Sequence, residues 1–347
     1  MTSIFGYPKE ELQLDLVAHG FKKYLAEQIF DWIYVKNIYS FDEMTNISKT
    51  DRNKLQEYYT IESESLKIVV QQQSKDGTVK FLFQLADGYK IETVLMPQSY
   101  GNSVCVTTKV GCNMACTFCA SELLKKTRNL STAEIVQQVM TVNRYLATTN
   151  ERVSHVVVMA FDEPFDNFDN TLKFVNIIND SKGYQIGARH ITISTCGLVP
   201  KIKQFAELKT QVNLAISLHA PNNTIRNQLM PINKAYTVEK LMDAVRYYIE
   251  LTNRRVTFEY ILIENVNDSR ETALELAKLI RVLNAYVNLI PYNTVAENGY
   301  QRSTKINQFF ETLQQQKINC IVRREFGNDI DAACGQLRAK NEGIIRK

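Results

Sequence analysis

Residues 111–121 read GCNMACTFCAS and place three cysteines, Cys112, Cys116 and Cys119, within eight positions. A structural zinc site takes four ligands and a disulfide takes two, so three thiols with no fourth nearby ask for a different partner. The four histidines, His19, His155, His190 and His219, all lie far along the chain and offer no compact Cys₃His set. Cys-x₃-Cys-x₂-Cys on a loop suits a 4Fe–4S cube with one iron left free of protein ligands. That open iron can chelate a small molecule, much as a catalytic zinc keeps a vacant position.

The run follows a strand. From about residue 103 the chain alternates strand, loop and helix, with strands expected at 103–108, 153–160, 190–195, 211–217, 255–262, 286–290 and 319–323. Helices are expected at 132–147, 168–179, 237–251, 268–282 and 303–317, the first opened by a capping box, Ser131 with Glu134 three residues on. Alternation of this kind predicts a parallel sheet with helices outside, and six or seven units predict an open or partial barrel. Chemistry in such folds collects at the C-terminal ends of strands, where the cysteine run sits.

Upstream the period differs. Residues 8–60 read as helical, with Leu25, Ile29, Trp32 and Ile33 at helical spacing in KKYLAEQIFDWIY. SLKIVVQQQS, TVKFLFQLA and YKIETVLMP are β-rich, with turn signals at Asp76-Gly77 and Asp87-Gly88. The units predicted are 1–62 (helical), 63–102 (a β-rich connection), 103–325 (the barrel) and 326–347, whose tail LRAKNEGIIRK is expected to be mobile.

Composition sets the broad class. The chain has 347 residues, 45% hydrophobic and 22% charged, ordinary values for a globular protein with a substantial core. No apolar run reaches membrane-spanning length, and MTSIFGYPKEELQLDL lacks the order of a signal peptide, so a cytoplasmic protein without membrane contact is expected. Its seven cysteines then read as reduced thiols in metal or redox service. A net charge of +4 permits an anionic partner without requiring one.

CNMACTFC on the loop after the first barrel strand resembles the radical S-adenosylmethionine (SAM) superfamily. Nearly the whole chain is similar to one of its branches, the RlmN/Cfr family of RNA methyltransferases. FDEMTNISK, KDGTVKFLF, IETVLMP, NSVCVTT, IGARHITIST, AISLHAPNN, RRVTFEYILI, NLIPYN and DIDAACGQLR carry the likeness in order. The resemblance implies an α/β fold, a partial (β/α)₆ radical SAM barrel with a small helical N-terminal domain and a β extension. It implies a 4Fe–4S cluster on Cys112, Cys116 and Cys119, and two SAM molecules per turnover.

The RlmN-type activity it implies is methylation of carbon 2 of adenine 2503 in 23S rRNA and adenine 37 in tRNA. Carbon 2 is electron-poor, so a carbon radical can add where polar attack on a sulfonium methyl is implausible. In the family a C-terminal cysteine, matching Cys334, is first methylated and then carries the carbon to the base. Cys105 matches the cysteine that closes a disulfide with it as the adduct breaks, and Glu92 matches the proposed proton acceptor. Read without the family, Cys105 is equally a buried small side chain, Cys334 in AACG equally a tight-packing position, and Glu92 in KIETV an outward strand residue. SAM contacts carry over to Asp162, Glu163, Ser194, Ser217, Leu218, His219 and Asn293.

Two departures stand out. Where the family has Gly-x-Gly-Glu-Pro, this chain has Ala160 and Asp162 ahead of Glu163 and Pro164. Glycine there would permit close approach or positive φ, and aspartate brings a charge able to pair with an ammonium or to crowd SAM's carboxylate. Cys196 replaces a more usual serine. Basic clusters at Lys125-Lys126-Thr127-Arg128, Arg254-Arg255 and Arg323-Arg324, with the basic tail, are candidates for phosphate contacts around the site, with an unstacked loop adenine as the substrate. The remaining partners implied are an electron donor such as flavodoxin or ferredoxin, with the protein a monomer. Cfr-like methylation at carbon 8, a catalytically weakened paralogue and a zinc-bearing RNA-binding protein stay open on these residues alone.

Overall fold

The computed structural model describes residues 1–61, 66–119, 126–160, 162–294, 298–331 and 335–343; Cys334 and Lys125 lie outside them. The helical region opens with β1 (Thr2–Ser3), followed by α1 (Lys9–Ala18), α2 (Leu25–Phe30), α3 (Lys49–Tyr58) and β2 (Tyr59–Thr60), with β1 and β2 paired in parallel. Leu25, Ile29 and Ile33 are buried, as their spacing requires. Ser48 caps α3 by accepting from the Asp51 amide.

Four strands follow: β3 (Leu66–Gln73), β4 (Val79–Leu85), β5 (Lys90–Gln98) and β6 (Gly101–Cys105). Gly77 and Gly88 turn the chain between them, each at φ 87°, where a side chain would be strained. The small antiparallel pair β7 (Lys109–Val110) and β8 (Arg128–Asn129) brackets the cysteine loop.

The barrel proper begins with α4 (Thr132–Ala147), β9 (Val153–Val158), α5 (Phe168–Asn179) and β10 (Ile191–Thr195). It continues through α6 (Val199–Glu207), β11 (Asn213–Ser217), α7 (Asn223–Leu229), α8 (Val238–Thr252) and β12 (Val256–Leu262). Then come α9 (Arg270–Ile280), β13 (Ala285–Pro291), α10 (Ile306–Gln315), the three-residue edge strand β14 (Cys320–Val322) and α11 (Gln336–Asn341).

One sheet of ten strands runs in the order β14-β13-β12-β11-β10-β9-β6-β5-β4-β3. From β6 to β14 all neighbours are parallel, giving the partial barrel; β5, β4 and β3 extend it by antiparallel pairing. The region expected as a connection is therefore part of the barrel's own sheet. The tail expected to be mobile also differs, since its first residues form α11 and are bound to the sheet.

The main apolar core runs from Ile4 and Phe5 through α4 and the parallel strands to Ile318, and a smaller cluster of Cys196, Leu229, Met230, Ile263 and Tyr292 stands apart from it. The helical region joins the main core directly, and Lys9 pairs with Asp180 at 2.8 Å across the seam. No described helix is long and apolar enough to cross a membrane.

Candidate active site

A cavity of about 310 Å³ opens at the C-terminal ends of the parallel strands. Among the residues that line it are Cys105, the three loop cysteines, Asp162, Ser194, Ser217, His219 and Asn293. Residues scattered over nearly 190 positions of sequence thus converge because each sits at or just beyond a strand end.

The cysteine loop is tied down from outside. The Thr117 amide donates to the Leu229 carbonyl at 3.0 Å, and Tyr292 donates to the Phe118 carbonyl at 3.1 Å. Within the loop the Met114 amide points at Cys112 Sγ, 3.5 Å away. Burial pushes the Cys112 thiol up to about 12 and Cys116 well above its ordinary value; Cys116 feels both other loop thiols and Cys112 feels Cys119. Buried thiols of this kind are protonated until a metal displaces the proton. Among the described residues no three His, Cys, Asp or Glu side chains are arranged to hold a single metal ion. A cube, whose ligands bind separate irons, fits three thiols around one cavity, Cys112 buried and Cys116 and Cys119 half-buried.

In the altered glycine loop, Phe161 lies outside the described residues. Neither Ala160 nor Asp162 is among the residues with positive φ. Asp162 instead turns one carboxylate oxygen to Thr108, accepting from its amide and, at 2.7 Å, from its hydroxyl. The other oxygen, Oδ1, is buried and has no hydrogen-bond partner among the described residues, although the residue lines the cavity. Burial raises this carboxyl to about 6, against the pull of the Thr108 bonds and Lys109.

Glu163 is placed differently. It does not line the cavity; its carboxylate accepts from the Phe165 amide at 2.9 Å and the Cys196 amide at 2.6 Å, tying together the loops after β9 and β10. Leu218 is also absent from the lining, and its backbone bonds to Glu259 and Arg226. Cys196 does line the cavity, and burial drives its thiol well above the ordinary range, leaving it protonated.

His219 occupies a left-handed conformation, φ 57°. Its Nδ1 accepts from the Ile261 amide at 3.1 Å, which leaves the proton on Nε2. Burial, with the Arg226 cation close by, pushes this imidazole down to about 3, so it is neutral. The Ser194 and Ser217 hydroxyls lie 3.4 Å apart.

Arg226 and Glu259 are site residues that sequence reading missed. Arg226, fully buried on α7, donates to the carbonyls of Cys196 (2.6 Å), Leu218 (3.2 Å) and Ser217 (3.4 Å), lacing together the ends of β10 and β11. Glu259 stands opposite Ser217 and lines the cavity, with burial raising its carboxyl and Arg323 opposing the rise. Glu259 had one sequence signal, a charge inside the otherwise apolar VTFEYILI, whereas Arg226, in the polar run NNTIRNQ, had none.

Glu92 lies beyond the cavity lining, but on a strand that supplies part of it. Val94, two residues on, faces Cys105 across β5 and β6, and both line the cavity. Glu92 accepts from the amide of Gly335, the neighbour of Cys334.

Among the described residues of the basic clusters, only Arg323 and Arg324 line the cavity. Lys126 is paired with Asp166 at 2.8 Å and Arg128 with Asp87 at 2.6 Å and Glu134 at 2.7 Å, which leaves little charge for phosphate. Arg254-Arg255 precedes β12 and so sits at the opposite end of the sheet.

Comparison with known proteins agrees with this geometry. Residues 106–277 match the radical SAM superfamily, and residues 2–61 match the ribosomal RNA large subunit methyltransferase N-terminal domain. The chain is 95% identical over 347 residues to a probable dual-specificity RNA methyltransferase RlmN of Spiroplasma citri, with 100% of each covered. It is 58% identical to the protein of that description from Shouchella clausii (strain KSM-K16), over 98% of this chain and 97% of that one. The crystal structure of a radical SAM methyltransferase from Sphaerobacter thermophilus superposes with a TM-score of 0.91 at 42% identity, covering 97% of this chain and 99% of the other. Membership of the superfamily brings with it a 4Fe–4S cluster and SAM, and the RlmN likeness brings an RNA substrate. On its sequence, its fold and its cavity, the chain belongs to the RlmN family of radical SAM RNA methyltransferases.

Proposed function

We propose that the protein methylates carbon 2 of adenine 2503 in 23S rRNA and of adenine 37 in tRNA. The observation that carries this reading is the meeting of Cys105 with Cys112, Cys116 and Cys119 in one cavity. A cluster-binding loop alone would serve many radical reactions; a further cysteine at the end of β6, the strand that leads into the loop, serves one that must undo a sulfur–carbon link.

Cys112, Cys116 and Cys119 would hold the cube, which when bound would supply single-electron reduction to SAM's sulfonium. Ser194, Ser217, Asn293 and the Nε2 proton of His219 offer hydrogen bonds to SAM. Asp162 Oδ1, buried without a partner, receives its amino group, so the charge that replaces a glycine becomes a ligand. Glu163 and Leu218 act through the backbone they fix. Two SAM molecules are used per turnover, one to methylate Cys334 and one to generate the radical that activates this methyl group. Glu92 takes the proton leaving carbon 2, and Cys105 frees the base by forming a disulfide with Cys334.

Arg323 and Arg324 line the same cavity as Cys105 and suit the phosphates of an unstacked nucleotide. The enzyme works as a cytoplasmic monomer, with flavodoxin or ferredoxin as electron donor. The test is anaerobic reconstitution with iron, sulfide, SAM and dithionite, then incubation with unmodified rRNA and tRNA. Deoxyadenosine release together with 2-methyladenosine by mass spectrometry is expected; 8-methyladenosine, or no deoxyadenosine, overturns the proposal.

A further inference from the structure

Lys80 is wholly excluded from solvent. A charge in such a place is costly unless matched on several sides, so its partners are informative. Lys80 stands opposite Val94 in the β4–β5 pairing, and Val94 stands opposite Cys105 in the β5–β6 pairing. Directly paired residues share a face, so Lys80, Val94 and Cys105 form one row on the face that borders the cavity. Glu92, two residues before Val94, falls on that face as well.

From this row the ammonium reaches in two directions. Nζ lies 2.9 Å from Glu92 Oε2 and donates to the Asp331 carbonyl at 2.6 Å. Glu92 in turn accepts from the Gly335 amide at 2.7 Å and the Arg338 amide at 2.6 Å. Asp331 and Gly335 flank residues 332–334, which include Cys334. One buried ion pair therefore fastens both sides of that tripeptide to the sheet face bearing Cys105.

We infer that Lys80 is a positioning residue for Cys334, holding the two points from which this cysteine is presented to the cavity. The inference rests on the reading of Cys334 as the methyl carrier. Lys80 touches neither SAM nor the base. Its charge is what the task requires: a neutral side chain of equal length fills the space but cannot bind a carbonyl and a carboxylate together, whereas an arginine fork can.

Hydrogen-exchange mass spectrometry on the anaerobically purified full chain, with the ratio of deoxyadenosine released to methyl groups placed on RNA, tests this. In the parent protein the Gly335 and Arg338 amides should be protected, although they open a six-residue helix whose first amides have no acceptor of their own. Lys80→Met should lower that protection about tenfold or more, with β4 and β5 still protected. It should also raise the deoxyadenosine-to-methyl ratio, because the radical forms but meets a displaced Cys334. Lys80→Arg should restore both readouts.

Unprotected Gly335 and Arg338 amides in the parent overturn the inference without any variant. A Lys80→Met protein with the parent's protection and ratio overturns it too. A chain that shows the clamp in exchange but places no methyl on RNA supports the clamp as a contact and overturns the proposed function instead.

Discussion

Asp162 binds Thr108 twice, through the amide and the hydroxyl, and so anchors the strand exit that leads into the cysteine loop. The substitution that removes a glycine thereby supplies a brace.

That brace has a pH signature. Burial lifts the Asp162 carboxyl from 3.8 to about 6. Between those values the folded chain binds more protons than the unfolded one, so stability falls as pH rises across the window, by roughly 3 kcal/mol in all. Asp162→Asn keeps an acceptor for Thr108 and removes the loss. In urea unfolding of the iron-free protein the variant should gain about that much on the parent above pH 6 and little near pH 4. Its SAM affinity, by equilibrium dialysis of the reconstituted protein, should fall about tenfold or more with the lost charge. An equal gain at both pH values would refute the assignment.

His219 acts in the opposite sense. Its imidazole is pushed from 6.5 to about 3, so the unfolded chain takes up the proton first and stability is lost as pH drops below 6.5. Asparagine tolerates the left-handed backbone and can accept from Ile261. In an Asp162→Asn background, where the opposing carboxyl is absent, His219→Asn should abolish a loss of roughly 2 kcal/mol between neutral pH and about pH 5, read from urea midpoints.

Arg226→Met should destabilise the fold by about 3 kcal/mol, since it removes the buried donor to the carbonyls of Cys196 and Ser217, while the Leu218 carbonyl keeps the Ala220 amide. Arg226→Lys should recover only part, because an ammonium cannot reach three carbonyls in fixed directions. Urea titration of both variants checks the order.

Cys105→Ala should leave SAM cleavage intact while stopping release of product. A covalent protein–RNA species should then accumulate, visible as a retarded band on a denaturing gel. Free methylated RNA from this variant would remove Cys105 from the reaction.

The sequence was most readable where the forces are local. The capping box at Ser131 and Glu134 placed the start of α4, which spans Thr132–Ala147 as expected. α5 likewise matches its expected bounds. Short helices escaped notice: α6 buries only Ile202, Phe205 and Ala206, and α7 is seven residues long, too brief for a period to declare itself. Their loss hid Arg226, whose meaning depends on carbonyls up to 30 positions away.

Charges were the least readable feature of all. Lys126 and Arg128 looked like a phosphate-binding patch until Asp166, Asp87 and Glu134 proved to stand beside them. Glu92 looked like a surface residue because its partners, Gly335 and Arg338, lie more than 240 positions downstream.

The helical region at the amino terminus shares its apolar interior with the barrel. A module built in this way cannot swing on a tether. Its distance and angle from the cavity are fixed by that shared packing, as the marks of a ruler are fixed by its body.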